Sequence, residues 1–229
     1  MADIDLVIFD CDGVLVDSEV IAARVEAELL TAAGYPIEAE DLARLYAGLT
    51  FRDIMLRIEQ ESRQLFQATL IEDAEKLVDK RLRSEVRATE GAHEAVASVT
   101  AARCICSNSS AERLDAMLTR TRLKPFFGDA VFSSLDTPSG KPKPAPDVFL
   151  FAAEKMQAEP GRTFVVEDSV HGIAGAKAAG MRVIGYTGAS HSHPGHADLL
   201  TEAGAETVIH RWADFAPVLA ALSEWSEDA

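Results

Sequence analysis

Short apolar runs recur along the chain, and most of them end in a polar or acidic residue. The first occupies residues 4–9 and stops at Asp10. A nearly unbroken apolar run of this length is typical of a strand buried on both faces of a parallel sheet. The same pattern predicts four further strands, at residues 102–106, 130–132, 163–166 and 181–186.

Amphipathic patterns lie between these predicted strands. Apolar residues at helical spacing predict helices at residues 92–99, 111–121, 147–156 and 170–179, with Gly180 ending the last of them. Strands that alternate with helices are typical of an α/β protein in which helices cover a mostly parallel sheet. We therefore predict a doubly wound parallel sheet.

One long stretch interrupts this alternation with helical patterns alone. It is predicted to form helices at residues 21–32, 39–47, 51–61 and 71–86. We predict an all-helical cap at residues 16–87, inserted after the first strand as a lid over the carboxyl edge of the sheet. The α/β core then comprises residues 1–15 and 88–229.

Charge and composition exclude several classes of partner. The net charge of −15 over 229 residues disfavours binding to nucleic acid or anionic lipid, because clustered Lys and Arg supply that affinity. No apolar run is long enough to span a bilayer, and the amino terminus lacks a signal-peptide pattern. The three cysteines form neither a disulfide framework nor a zinc motif. We expect a cytoplasmic protein without nucleic-acid or membrane partners, and the sequence leaves its oligomeric state open.

The residues that follow the predicted strands carry the candidate chemistry. In open α/β sheets, ligands bind at the carboxyl ends of the strands. Carboxylates gathered at one such edge repel each other, so a cluster of them normally holds a hard cation such as Mg²⁺ or Ca²⁺. The residues at these positions are Asp10, Asp12, Ser107, Asn108, Glu167 and Asp168.

The loop after the first strand carries a resemblance to a known family. Residues 10–18 read Asp-Cys-Asp-Gly-Val-Leu-Val-Asp-Ser, which resembles the Asp-x-Asp-Gly-x-x-x-Asp-Ser signature of the haloacid dehalogenase (HAD) superfamily. The other signature positions follow in order: Ser107, Lys143 in a Lys-Pro-x-Pro-Asp-x-Phe run, and Glu167-Asp168-Ser169. The likeness covers the whole chain. It is greatest to sugar-phosphate phosphatases, including the 6-phosphogluconate phosphatase type, and to the β-phosphoglucomutase-like group with a helical cap.

The resemblance implies a Rossmann-like core and a Mg²⁺-dependent phosphatase of small phosphate esters. Asp10 would attack phosphorus and form an aspartyl-phosphate. Asp12 would act as general acid and base, facing the same side because strand side chains repeat with period two. Ser107, expected at a helix amino terminus, would bind the phosphoryl group, and Lys143 would screen its charge.

The metal ligands and substrate contacts are also implied by the resemblance. Mg²⁺ would be held by Asp10, the backbone carbonyl of Asp12, Asp168, and Glu167 directly or through water. Arg52 suits an acidic sugar phosphate such as 6-phosphogluconate, because a guanidinium pairs well with carboxylate. The predicted substrate-binding residues are Glu19, Gly48, Thr50, Arg52, Ser107, Asn108 and Lys143.

Two other functions stay open at this point. A phosphomutase would share the phosphoenzyme, but β-phosphoglucomutases carry a His and a Lys in the cap where this chain has Ala22 and Ala47. A receiver-like phospho-acceptor domain would lack the helical insertion.

His191, His193 and His196 are interpreted as loop histidines without a ligand, rather than as a zinc or nickel site.

Overall fold

The computed structural model describes residues 4–46 and 49–224. These residues form two compact units. One comprises the described residues up to Asp17 together with those from Arg87 onward, and the other comprises Ser18–Val86. The domain boundaries that the sequence predicts, at residues 15/16 and 87/88, stay a prediction.

The larger unit is built on a six-stranded sheet in which every neighbouring pair is parallel. The strands are β1 (Leu6–Phe9), β2 (Ala102–Ser107), β3 (Val131–Ser133), β4 (Thr163–Glu167), β5 (Arg182–Tyr186) and β6 (Thr207–Ile209). Their order is β3-β2-β1-β4-β5-β6. Five of these strands were predicted, and β6 was missed because its apolar run is only two residues long, Val208 and Ile209.

The described residues contain ten α-helices. They are α1 (Glu19–Ala32), α2 (Ala39–Leu45), α3 (Phe51–Ser62), α4 (Thr69–Glu85), α5 (Ala92–Ser98), α6 (Ala111–Arg120), α7 (Asp147–Met156), α8 (Val170–Ala178), α9 (His196–Glu202) and α10 (Phe215–Glu224). Eight of them match predicted helices within two residues at each end. Helices α9 and α10 were not predicted.

Both faces of the sheet are covered by other elements. Successive side chains of a strand point to opposite faces, so β1 packs on both sides. On one face, Leu6 and Ile8 of β1 join a cluster that includes Phe149 of α7 and Ile173 of α8. On the other face, the ring of Phe9 packs against three aromatic rings. Their centroids lie 6.0, 5.9 and 5.7 Å away, in Phe127, Trp212 and Phe215. The prediction of a doubly wound parallel sheet is confirmed.

The smaller unit contains α1 to α4 and has its own apolar core. Leu30 of α1, Leu42 of α2 and Ile58 of α3 are buried there together with Tyr46. Thr50 begins α3 by accepting a hydrogen bond from the Asp53 N–H at 3.2 Å. The predicted end of α2 at Ala47, and Gly48 after it, lie outside the described residues.

All three cysteines lie in the larger unit. Cys11, Cys104 and Cys106 are buried and free. Burial raises the pKa of the Cys11 thiol, so this thiol stays protonated at neutral pH. No helix in the described part of the chain combines the length and the apolar character that a membrane span requires.

Candidate active site

Three carboxylates meet where β1 and β4 end. The two strands are neighbours, and Phe9 pairs with Val166, so Asp10 and Glu167 leave the sheet at the same level. Asp168 follows Glu167 directly. One carboxylate oxygen from each of the three lies within 4.8 Å of the others, and all three residues are buried. The strand register therefore brings Asp10 and Glu167 together, and Asp168 joins them as the next residue of the chain.

Lys143 supplies a positive charge inside the cluster. Its Nζ lies 2.6 Å from Asp10 Oδ1 and 2.6 Å from Glu167 Oε1, and it donates to the Cys106 carbonyl at 2.8 Å. The side chain is only 3% exposed. The loop that carries it is held by Asn108, whose Oδ1 accepts the Lys143 backbone N–H at 2.9 Å. The nearby Lys141 is exposed.

Burial and charge act in opposite directions on these groups. Burial by itself lowers the pKa of Lys143, but the carboxylates of Asp10 and Glu167 outweigh it and raise that pKa. Lys143 therefore stays an ammonium. Burial also raises the pKa of Asp10, and the Lys143 ammonium only partly opposes this effect. One ammonium among three buried carboxylates leaves negative charge uncompensated.

Asp12 reaches the site from a loop and not from a strand, which corrects the period-two argument. Strand β1 ends at Phe9, and the backbone turns sharply at Gly13, where φ is 74°. Asp12 Oδ2 accepts hydrogen bonds from Ser109 Oγ at 2.8 Å and Ser107 Oγ at 3.2 Å. Two hydroxyl donors thus fix this carboxylate.

The expected place of Ser107 at a helix amino terminus was wrong. Ser107 is the last residue of β2, and Ser110 caps α6 by accepting the Arg113 N–H at 3.3 Å. Ser107 Oγ instead accepts the Ser109 N–H at 2.9 Å. Ser109 was not predicted, although its position in a Ser-Asn-Ser-Ser run after β2 was the signal available.

Glu167 is held on both of its carboxylate oxygens. While Oε1 accepts from Lys143, Oε2 accepts from the backbone N–H groups of Asp168 and Ser169, each at 3.1 Å, and from Ser169 Oγ at 3.0 Å. Gly172 in α8 leaves the space for this carboxylate, since a Cβ there would lie 1.9 Å from Glu167 Oε1. Glu167 is therefore fixed before any ligand binds.

The donor set suits a hard divalent cation. Carboxylate oxygens are the ligands that Mg²⁺ prefers, and buried carboxylates with uncompensated charge gain most from a bound cation. In the described residues, Asp10, Glu167 and Asp168 form the group of this kind that is close enough to share an ion. The acidic cluster expected from the sequence is thus present.

Two of the three histidines after β5 contact Asp168. His196 is the first residue of α9 and is buried, and its Nε2 lies 2.7 Å from the Asp168 carbonyl oxygen. His191 Nε2 lies 3.0 Å from Asp168 Oδ2. Burial lowers the pKa of His196 below 6.5, which favours its neutral form. The interpretation as loop residues was wrong for His196, which begins α9, and the interpretation that the three histidines hold no zinc or nickel stays a prediction.

Comparison with known proteins agrees with this geometry. The model of the haloacid dehalogenase-like hydrolases matches residues 4–180. The chain belongs to this family. It is 30% identical over 195 residues to the 6-phosphogluconate phosphatase of Escherichia coli strain K12, covering 85% of this chain and 87% of the relative.

Two solved structures are similar over nearly the full length of this HAD hydrolase. A conserved haloacid dehalogenase-like protein of unknown function from Agrobacterium tumefaciens has a TM-score of 0.91 and 53% identity, covering 96% of this chain and 100% of that one. A HAD family hydrolase from Deinococcus radiodurans, crystallised with phosphate and sodium, has a TM-score of 0.84 and 31% identity. That match covers 96% of this chain and 97% of the other. The family membership favours a hydrolase over a receiver-like phospho-acceptor domain.

The remaining predicted residues of this HAD hydrolase belong to the helical unit. Glu19 begins α1 and Arg52 is the second residue of α3, and both are exposed. The Thr50 hydroxyl donates to Asp53 Oδ2 at 2.7 Å, so it takes part in the helix cap. Gly48, like Ala47, lies outside the described residues. The substrate-binding roles of all four predicted residues stay predictions.

Proposed function

We propose that this HAD hydrolase is a Mg²⁺-dependent phosphatase that releases phosphate from a small sugar phosphate through a covalent intermediate on Asp10. The observation that carries the proposal is the Lys143 ammonium, buried 2.6 Å from Asp10, in a cluster that also contains Glu167 and Asp168. A nucleophile, a charge-compensating cation and a set of metal ligands are what phosphoryl transfer requires at one site.

The first step transfers the phosphoryl group to Asp10. A carboxylate oxygen of Asp10 attacks phosphorus, and the bond between phosphorus and the leaving oxygen breaks. Asp12 donates its proton to that departing alkoxide, so the sugar leaves as a neutral alcohol. Lys143 stabilises the charge that the transferring phosphoryl oxygens carry. Ser107 and Ser109 keep Asp12 beside the reacting atoms, as their hydrogen bonds to its carboxylate support.

The second step releases phosphate from the acyl phosphate. Asp12, now ionised, takes a proton from water, whose oxygen attacks phosphorus and breaks the bond to Asp10. Asp10, Asp168 and the Asp12 carbonyl would hold Mg²⁺, with Glu167 contacting it directly or through water. When bound, Mg²⁺ neutralises the phosphoryl oxygens and the clustered carboxylates.

The substrate class follows from the relative rather than from the site. The Escherichia coli relative, 30% identical to this chain, is a 6-phosphogluconate phosphatase. We propose a phosphosugar or phosphosugar acid, with 6-phosphogluconate as the first compound to try. Arg52 is the proposed partner of the substrate carboxylate.

A phosphate-release screen tests the proposal. Purified protein is given 6-phosphogluconate, glucose 6-phosphate, phosphoglycolate, a nucleotide and β-glucose 1-phosphate, each with Mg²⁺ and with a chelator. We expect Mg²⁺-dependent release that is greatest for a phosphosugar and is abolished by Asp10→Asn, with unchanged circular dichroism. Release that is undiminished in Asp10→Asn would contradict the mechanism. Conversion of β-glucose 1-phosphate to glucose 6-phosphate faster than phosphate release would replace the phosphatase by a phosphomutase.

A further inference from the structure

Two histidines hold Asp168 from opposite ends of that residue. His191 Nε2 lies 3.0 Å from the carboxylate oxygen Oδ2, and His196 Nε2 lies 2.7 Å from the backbone carbonyl oxygen. A carboxylate and a carbonyl both accept, so the imidazole nitrogens supply the hydrogens in both contacts. Side chain and main chain of one residue are therefore tied to the segment that runs from the end of β5 to the first residue of α9.

The contacts are enclosed and leave little freedom. The side chains of His191 and Asp168 are 22% and 9% exposed. Gly13 packs against both, since a Cβ at that position would lie 2.0 Å from Asp168 Oδ2 and 2.8 Å from His191 Cε1. His196 is itself buried, with the ring of His193 stacked on it at 5.0 Å. The absence of a side chain at Gly13 thus lets Asp168 and His191 meet.

We propose that His191 and His196 are positioning residues that hold Asp168 ready as a ligand for the divalent cation. This inference rests on the proposed function, because it concerns the cation of the same site. A carboxylate held at Oδ2 and at its own backbone keeps its orientation before the cation arrives. Hydrogen-bonding partners of metal ligands commonly contribute about 10- to 100-fold to metal affinity.

The arrangement differs from a histidine metal site. Neither His191, His193 nor His196 belongs to the group of described residues that is close enough to share an ion, whereas Asp168 does. We therefore expect the imidazoles to contact the metal ligand Asp168 and not the cation itself. The short segment after β5 then helps to hold a metal ligand, which its composition of Ser, Gly, Pro and His did not indicate.

Mn²⁺ binding to the substrate-free protein tests this inference without measuring turnover. The variants are His191→Leu, which removes the donor, and His191→Gln, whose amide nitrogen stands as many bonds from Cα as Nε2 and restores it. Leu199→Ala, at an exposed position of the neighbouring helix α9, is the matched control. Free Mn²⁺ is counted by electron paramagnetic resonance, and circular dichroism checks the fold of each variant.

We expect Mn²⁺ affinity to fall about 10- to 100-fold in His191→Leu, to return to within a few-fold of wild type in His191→Gln, and to be unchanged in Leu199→Ala. Equal affinity in wild type and His191→Leu, or equal losses in His191→Leu and His191→Gln, would overturn the inference and leave the proposed function standing. So would an imidazole nitrogen coupled directly to bound Mn²⁺. A wild-type protein that binds no Mn²⁺ would overturn the inference and the metal-dependent function together.

Discussion

At the scale of single residues, the site depends on close approaches that only particular side chains permit. Lys143 fits between Asp10 and Glu167 at 2.6 Å from each. Glu167 keeps its place because α8 has no side chain at Gly172. Lys143 acts through its positive charge between two carboxylates, and Gly172 acts by leaving space for Glu167. The chemistry is therefore sensitive to small changes in volume near the carboxylates.

Replacing Gly172 by Ala should disturb the site more than the fold. The added Cβ would lie 1.9 Å from Glu167 Oε1, so Glu167 must move away from Lys143. We expect at least tenfold lower turnover and a loss of roughly 1–3 kcal/mol in unfolding free energy, the usual cost of overpacking. Phosphate release and denaturant unfolding measure the two effects.

Gly161→Ala is the matched control. A Cβ at Gly161 meets nothing within 4 Å, so we expect turnover unchanged and stability equal to wild type or higher by up to about 1 kcal/mol. If both variants behave alike, the close contact between Gly172 and Glu167 has no role in the site.

At the scale of helices and strands, periodicity predicted the parts of the fold that are long or fully buried. Strand β1 was predicted because its four residues are apolar and buried, and α7 was predicted at its observed bounds. Strand β6 contains only two consecutive apolar residues, Val208 and Ile209, whereas the apolar run that predicted β3 has three, so the pattern of β6 carries too little signal. Helix α9 begins in a segment rich in Ser, Gly, Pro and His, which reads as a loop.

The acids of the site were predictable, because residues after parallel strands converge on one edge of the sheet. Lys143 follows no strand and was predicted from the family resemblance instead. The hydrogen bonds were not predictable. Ser109 and His191 contact Asp12 and Asp168 through loops whose course depends on tertiary packing. Strand period likewise gave the wrong reason for the position of Asp12, since a turn at Gly13 intervenes.

Helix α1 carries an acid that should make stability depend on pH. Glu26 is half-buried, and burial together with Glu19 raises the pKa of Glu26 from 4.5 to about 7. Between those values the folded state holds a proton that the unfolded state has lost, so stability falls as pH rises. Glu26→Gln removes this ionisation.

We expect the Glu26→Gln variant to match wild type near pH 4 and to exceed it by roughly 1–3 kcal/mol at pH 8. Unfolding measured across this pH range tests the expectation. Glu75→Gln, which changes an exposed acid on α4, is the control and should run parallel to wild type. Parallel curves for Glu26→Gln as well would show that Glu26 ionises normally.

At the scale of the whole molecule, the proposed function divides chemistry and selection between two units. The larger unit contains the three carboxylates of the acidic cluster, Lys143, and Asp12 with the two serines that hold it. Glu19 and Arg52 belong to the helical unit, Ser18–Val86. If this division is correct, substitutions in the helical unit should change which phosphate ester is hydrolysed more than how hydrolysis occurs.

Arg52→Ala tests that division with a matched pair of substrates. The substrates 6-phosphogluconate and glucose 6-phosphate share the phosphate but only the first carries a carboxylate. We expect kcat/KM to fall at least tenfold more for 6-phosphogluconate, since a charge-assisted hydrogen bond is worth about 1.5–3 kcal/mol. Arg44→Ala, which removes an exposed arginine paired with Asp41, should leave both values unchanged. Equal losses on both substrates would leave Arg52 without a role in selection.

Covalent phosphate on Asp10 is the central claim, and peptide mapping after rapid acid quench tests it most directly. Asp12→Asn should slow hydrolysis of the acyl phosphate, because an amide cannot take a proton from water. With an activated phosphate ester, whose leaving group needs little protonation, this variant should accumulate one alkali-labile phosphoryl group on the peptide that contains Asp10. The double variant Asp10→Asn with Asp12→Asn should show none. Turnover by the wild-type enzyme with no phosphorylated Asp10 peptide at any quench time, in wild type or Asp12→Asn, would contradict the account.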